Sequence, residues 1–358
     1  MKFIFKIVIS SMAILIIIFG CVFILKTNNS FKITNYSQVQ DFVKEIPAEI
    51  EKTEVKPKEK ENSEIKMTAV GDIMLSRAVE QKMIEYNDYE YPFLKTAEIT
   101  NKADIIFGNL ETTIIEGRVI KSEEMIFRTD PRSIGGLKLA GFNVLSIANN
   151  HIMNFGKAGL ESTIKILDEN NISHIGAGIG KEEIYKPVIK NIKGTAFAFL
   201  GFTYNSDQRR LPNGDVYGVA NMEIEKMKEN VRKAKLENDI VIVSMHAGTE
   251  YKTSSSSFQE NFARSAIDAG ARLVIGSHPH VVQNVEKYND GYIIYSLGNF
   301  VFDQMWSNET RLGAIAEIDF KGKKIDSINF IPIKIYDYSQ PQIIEGEERE
   351  MILERLKL

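Results

Sequence analysis

From Ile65 onward, short apolar runs rich in β-branched residues alternate with segments of helical period. Thr68-Ala69-Val70, Asp104-Ile105-Ile106-Phe107, Val144-Leu145-Ser146-Ile147-Ala148, Ile240-Val241-Ile242-Val243-Ser244-Met245 and Leu273-Val274-Ile275-Gly276-Ser277 read as buried strands of the parallel kind. Gly156 to Asn170 carries Leu160, Ile164 and Leu167 on one stripe and predicts an amphipathic helix. Glu223 to Leu236 predicts a strongly charged surface helix. Ser257 to Ala269 predicts one that buries Phe258, Phe262, Ala266 and Ile267. Later strands are less often separated by helices: Tyr292 to Ser296, then Gly313 to Phe320 and Ile325 to Ile333. Between the last two, Lys321-Gly322-Lys323-Lys324 suits a hairpin turn. Parallel strands followed by an antiparallel meander predict an α/β fold of two sheets packed face to face, with helices outside. The pattern shows no internal repeat.

The first residues follow a different pattern. Lys2 and Lys6 precede an apolar run from Ile7 to Leu25, closed by Lys26. At about 1.5 Å per residue it just spans a hydrocarbon core of about 30 Å. Residues 1–26 therefore predict a single transmembrane anchor, and the leading lysines favour an outward-facing C-terminal part. Two alternatives stand beside it. One is a cleaved signal peptide, although no small-x-small site follows the run. The other is a lipoprotein signal, because Ile18-Phe19-Gly20-Cys21 loosely resembles a lipobox. All three put the remainder outside the cytoplasm. Residues 27–64 offer few large apolar side chains and alternate Glu with Lys, as in Lys56-Pro57-Lys58-Glu59-Lys60-Glu61, which predicts a disordered tether. The folded domain is expected over residues 65–340, with a tail or helix over 341–358.

Composition narrows the function class. Of 358 residues, 44% are hydrophobic and 26% charged, ordinary for a folded protein. A net charge of −4 supplies no basic footprint, so nucleic acid is not the expected partner. The one cysteine, Cys21, excludes an intrachain disulfide framework.

The chemistry lies where the strands end. The five apolar runs lead into Gly71-Asp72-Ile73-Met74, Gly108-Asn109-Leu110-Glu111, Asn149-Asn150-His151, His246-Ala247-Gly248 and His278-Pro279-His280. Four of the chain's five histidines fall in these motifs. Functional groups of open α/β sheets collect beyond the carboxyl ends of strands, so Asp, Glu, Asn and four His should meet at one edge. Singly, each motif is as well explained by a turn or a cap; five together are not. The donor set suits one or two divalent ions, Mn, Zn or Fe. His174 sits within an apolar run and reads as a packing residue. Glu250 and Tyr251 follow His246 closely enough to line the same mouth and contact substrate, with half-buried packing as the rival reading of Tyr251. Arg128, in Phe127-Arg128-Thr129-Asp130-Pro131, is a candidate for bidentate recognition of a phosphate or a glutamate carboxylate. A structural ion pair is its equal alternative.

These motifs, together with His246-Ala247-Gly248-Thr249-Glu250-Tyr251 and Tyr295-Ser296-Leu297-Gly298-Asn299-Phe300, resemble the bacterial capsule-synthesis family of CapA/PgsA type, associated with poly-γ-glutamate. The resemblance runs from about Lys66 to Tyr338. That family is in turn similar to calcineurin-like metallophosphoesterases, which implies a four-layer α/β/β/α sandwich with a two-metal site. Carried across, it implies Asp72, Asn150, His246, His278 and His280 as metal ligands and His151 as the group that protonates the leaving oxygen. Two departures matter. Met74 stands where the phosphoesterases have a ligand His, and Asn109 where they have the bridging Asp. Glu111, two residues further along an extended strand and hence on the same side, could supply the bridge. A single tightly held ion is the alternative. Asn154 and Ala247 also depart from the usual Asp and Trp of the family.

Three function classes follow. The first is a membrane-anchored exterior component of poly-γ-glutamate or capsule production, acting in polymer export, attachment or processing. Its partners would be that anionic surface polymer and membrane-bound synthase subunits. The second is an extracellular metal-dependent phosphoesterase, and the third a non-catalytic scaffold that binds polymer on a vestigial site.

Overall fold

The computed structural model describes residues 64–204, 207–211 and 214–358; the anchor, Cys21 and the tether up to residue 63 lie outside them. Among the described residues, no helix is long and apolar enough to cross a membrane.

Strands buried on both faces assemble the two main sheets. In the first, β1 (Glu64–Ile73), β2 (Ile105–Leu110), β3 (Val144–Ser146) and β4 (Ser173–Ile175) lie side by side in parallel. The second holds β5 (Val188–Ile192), β6 (Thr195–Thr203), β7 (Ile240–His246), β8 (Leu273–Ser277), β9 (Val285–Tyr288) and β10 (Gly291–Ile294). Its order is β9-β10-β8-β7-β6-β5; the four inner strands are parallel and the two edge strands antiparallel. The chain then returns to the first sheet. There β11 (Asn299–Val301) runs parallel to the end of β1, and β12 (Leu312–Lys321), β13 (Lys324–Tyr336) and β14 (Gln340–Ile343) form the expected meander on its other side. Gly322, in the β12–β13 turn, has φ of 59°.

The sheets share one core. Ile65, Met67 and Phe107 of the first meet Phe199, Ile242 and Ile275 of the second. Phe107 stacks on Phe199 at 6.4 Å, and Phe197 meets Phe320 edge-on at 5.2 Å. Opposite faces carry helices. Val70, Ile73 and Leu145 pack with Val79 and Met83 of α1 (Arg77–Glu85) and Leu160 and Leu167 of α2 (Gly156–Glu169). On the far side, Val241, Val243 and Val274 pack under α3 (Ile224–Glu237) and α4 (Ser257–Ala269) through Met227, Val231, Phe262 and Ala266. Strand β7 shows why one sequence serves both layers: Ile240 and Ile242 face the shared core while Val241 and Val243 face the helices.

Ser256 and Gln259 form a capping box at the start of α4, and Gly270 ends it at φ 119°. One side chain differs from expectation: Phe258 is 48% exposed. The buried stripe runs Gln259, Phe262, Ala263, Ala266, Ile267, and Phe258, in the helix's first turn, lies at its edge. Past residue 340 the chain does not leave the fold, because β14 pairs with β13 and α5 (Glu347–Arg355) brings Ile352 into the inner core. His174 in β4 is half-buried, with Nε2 3.4 Å from Asp168 of α2.

Candidate metal centre

Register determines which donors meet. Asp72 of β1 lies level with Asn109 of β2 and Asn299 of β11, while His246 of β7 lies level with Ser277 of β8. The carboxyl ends of both parallel sets open at one seam between the sheets. After β8 the chain turns sharply: His278 and His280 take φ of 99° and 58°, a left-handed conformation unfavourable for any residue with a Cβ. Such strain persists only where the surroundings over-determine it, as at binding sites.

The expected donors converge there. Asp72, Glu111 and His246 bring ligand atoms within 4.8 Å of one another, as do Glu111, His278 and His280. Glu111 belongs to both sets, which is the position expected of a bridging carboxylate. His246 Nε2 and Asn150 Oδ1 approach to 2.9 Å. Neighbouring groups orient these side chains. Asn109 Nδ2 donates to Asp72 Oδ1 at 2.8 Å and is 3.4 Å from Glu111 Oε2. The backbone N–H of His278 donates to Asp72 Oδ2 at 3.2 Å. Ser277 Oγ lies 2.9 Å from His246 Nδ1, and Asn299 Oδ1 lies 3.0 Å from His280 Nδ1. Asn149 ties the next turn, accepting from the N–H groups of His151 and Ile152 through Oδ1.

The chemistry of this set fits a cation. Glu111 Oε1 and His278 Nδ1 are buried without a hydrogen-bond partner among the described residues. Orphaned polar atoms of this kind are costly unless something binds them. Burial, and then the Asp72 carboxylate, hold the Glu111 carboxyl well above the usual range. Burial alone would lower His280, but the Glu111 and Asp72 carboxylates outweigh it and raise the imidazole to about 9. Two buried carboxylates are thus short of positive charge, which a divalent ion would supply. Burial depresses His246 far below its ordinary value and His278 to about 3, so both are the neutral imidazoles a metal requires.

His151 lies beside this set. Its ring stacks on Phe127 at 3.9 Å, and Nδ1 is 3.0 Å from Asn154 Oδ1. That oxygen also accepts from the Phe127 N–H at 2.8 Å, which makes it the acceptor and His151 Nδ1 the donor. The Nε2 atom therefore faces Glu111 Oε1, 3.8 Å away, with its lone pair. Burial lowers the His151 imidazole from its ordinary value to about 4, with Asn154 opposing.

The other candidates are placed differently. Arg128 is buried with its donors committed inward: to Glu80 Oε1 at 3.1 Å, the Arg118 carbonyl at 2.8 Å and the Gly117 carbonyl at 2.6 Å. Of its two readings, the structural ion pair is the one whose contacts are present. Glu250 is exposed at the mouth, close enough for its charge to act on Glu111 and His280. Tyr251, at φ 64°, sits 6.2 Å from His280 ring to ring, and its N–H donates to the Pro279 carbonyl at 2.8 Å. Burial, then Glu250, push its phenol up to about 12. Met74 is wholly buried in the outer core. Sequence reasoning gave no role to Ser277, Asn299 or Arg77. The first two lie inside quoted motifs, but neither is a titratable or strongly ligating type.

Residues 66–304 match the family described as Bacterial capsule synthesis protein PGA_cap. The chain belongs to that family. It is 31% identical over 307 residues to the capsule biosynthesis protein CapA of Bacillus anthracis, covering 84% of this chain and 74% of that protein. It is 34% identical over 286 residues to the PGA biosynthesis protein CapA of Bacillus subtilis strain 168, covering 78% and 75%. Among solved structures, a hypothetical protein from Thermus thermophilus aligns at a TM-score of 0.49 with 14% identity, over 76% of this chain and all of that one. The PGA_cap match spans all six expected ligand positions, from Asp72 to His280.

Proposed function

We propose that this PGA_cap protein is a membrane-tethered exterior metalloprotein that acts on exported poly-γ-glutamate or a similar anionic capsule polymer, in its processing or attachment. The observation that carries the reading is the convergence of Asp72, Glu111, His246, His278 and His280, with Glu111 Oε1 and His278 Nδ1 left without partners among the described residues. These five and Asn150 would hold the metal. When bound, one or two divalent ions would supply Lewis acidity toward a carbonyl or phosphoryl oxygen.

The chain's own residues do the rest. Asn109, Ser277 and Asn299 hold the ligating side chains at fixed orientations. His151 presents Nε2 to the cluster, where it can take up and return a proton, with its ring fixed by Phe127 and Asn154. Glu250 and Tyr251 border the mouth through which a polymer would enter.

The test is elemental analysis of the purified protein after exposure to manganese, zinc or iron, beside His278→Ala and His280→Ala. Wild-type protein should retain about one to two ions per chain, the range this class of centre holds, and the variants should retain less. Wild-type protein that stays metal-free would overturn the reading. Turnover of a simple phosphodiester, without any change in capsule polymer on deletion, would favour the phosphoesterase alternative.

A further inference from the structure

Next to the metal centre, sharing Tyr251 with its mouth but none of its expected ligands, lies a cavity of about 240 Å³ lined by Arg77, Tyr251, Asp303, Gln304, Trp306 and Tyr338. Three features point to a ligand. First, its rim exposes large aromatic surface: Trp306 is 65% exposed, Tyr338 46% and Tyr251 41%. Trp306 meets Tyr251 edge-on at 4.8 Å. Second, its floor is a buried polar array. Arg77, only 6% exposed, pairs with Asp303 and lies 4.7 Å over the Phe127 ring, yet its Nε has no partner among the described residues. Gln304 reaches toward the Tyr251 hydroxyl at 3.5 Å. Third, Arg77, Tyr251 and Tyr338 have φ of 53°, 64° and 60°. Three lining residues thus hold a left-handed conformation that side chains bearing a Cβ rarely adopt.

The chemistry selects the ligand class. A carboxylate needs donors alone, whereas this lining offers both kinds of group. Arg77 Nε is an uncommitted donor among the described residues. The Asp303 carboxylate, which takes Arg77 and the Ala78 N–H, and the Gln304 carbonyl, which takes the Asn299 amide at 3.2 Å, keep further lone pairs; the tyrosine hydroxyls do either. Asp303 already balances the Arg77 charge, and Glu250 stands beside Tyr251, so a carboxylate would enter against negative charge. A ring with hydroxyl groups around its edge and C–H bonds on its faces matches donors and acceptors below and exposed aromatic faces above. We infer that this cavity binds one sugar residue of a neutral glycan chain and holds it beside the metal centre. The inference does not rest on the proposed metal chemistry, because no lining residue is among the expected ligands.

The chain provides its own probe, since Trp306 is its sole tryptophan. Full-length protein in a sugar-free zwitterionic detergent would be titrated with a neutral N-acetylglucosamine tetrasaccharide and, separately, with an oligomer of γ-linked glutamate. Emission would be excited at the red edge to exclude tyrosine. Saturable quenching or a blue shift is expected with the tetrasaccharide. Tyr338→Ala, at an exposed position, should weaken it about tenfold, the value of one stacking or hydrogen-bonding contact. Calorimetry on Trp306→Ala provides a readout that does not need the indole and should show a similar loss. No response to the tetrasaccharide at millimolar concentration would overturn the inference. A response to the glutamate oligomer alone would overturn the ligand class and assign the cavity to acidic peptide.

Discussion

At the scale of single residues, burial divides this protein's charged groups into those clustered at the candidate centre with unpartnered atoms and those paired with a cationic side chain. His246 and His151 separate the roles within the candidate centre. His246 shares a point with Asn150 and Glu111, whereas His151 has one nitrogen committed to Asn154 and the other on the rim of the set. His246→Ala should lose both metal and polymer in cells. His151→Ala should keep its metal and lose rate, by about 10²–10⁴-fold for a proton-transferring group. Metal loss in His151→Ala as complete as in His246→Ala would make it a ligand. Glu80 shows the other case. Burial raises its carboxyl to about 7 from 4.5, with Arg128 opposing. A raised folded-state value means that the folded chain holds this proton more tightly than the unfolded chain. The stabilisation is therefore complete below about 4.5 and is lost as pH rises through about 7. Glu80→Gln keeps an oxygen for Arg128 and for the Asp130 N–H but cannot ionise. The difference in melting temperature should move in favour of the variant between about pH 5 and about pH 8; a constant difference would show that Glu80 does not titrate there.

At the scale of elements, the site depends on how closely backbones approach at the strand ends. A Cβ on Gly71 would lie 1.8 Å from the Gly298 carbonyl oxygen, the same oxygen that accepts the Asp72 N–H at 3.0 Å. Gly71→Ala must push β1 away from the turn before β11 and move Asp72 with it. Thermal unfolding should report a loss of about 1–3 kcal/mol or more, the usual cost of overpacking, and metal content should fall as well. An unchanged melting temperature would mean that the two backbones part freely. Much at this scale was legible in the chain. β7 and β8 are continuous apolar runs, and α2 carries its buried residues at helical spacing. Less legible was where a stripe begins: Phe258 was expected inside because it is large, apolar and four residues before Phe262, yet in the first turn of the helix it lies at the edge of the buried face and stays 48% exposed. Nor could pattern alone show that residues past 340 finish the first sheet, because Gln340–Ile343 is short and alternates weakly.

At the scale of the whole molecule, the same distinction holds for the candidate centre. His and Asp at the ends of strands were visible because their types are rare and their positions recur after each apolar run. Ser277 and Asn299 were not, because orienting a ligand is a property of register between strands distant in sequence. Arg128 had two equal readings from sequence, and the contacts present are those of the structural one, in which an arginine beside a motif ties one loop to another. Topology also sets where the centre lies. The described chain enters at Glu64, the start of β1, while Asp72 stands at the other end of that strand, about 26 Å away at about 3.3 Å per residue. If Lys2, Lys6 and the apolar run from Ile7 to Leu25 form an uncleaved anchor, the charged segment before Glu64 is the link between bilayer and fold, and it should be open to protease. Protease added to intact cells stripped of their wall should release the domain as a soluble fragment that begins near Glu64 and still carries its metal. Every expected donor of the centre lies within the released fragment, which keeps β1 whole from Glu64, so release should leave metal content unchanged. A domain protected in intact cells and cut only after lysis would refute the outward orientation. A mature chain beginning at Cys21 would replace the anchor with a lipid while leaving the exterior placement intact.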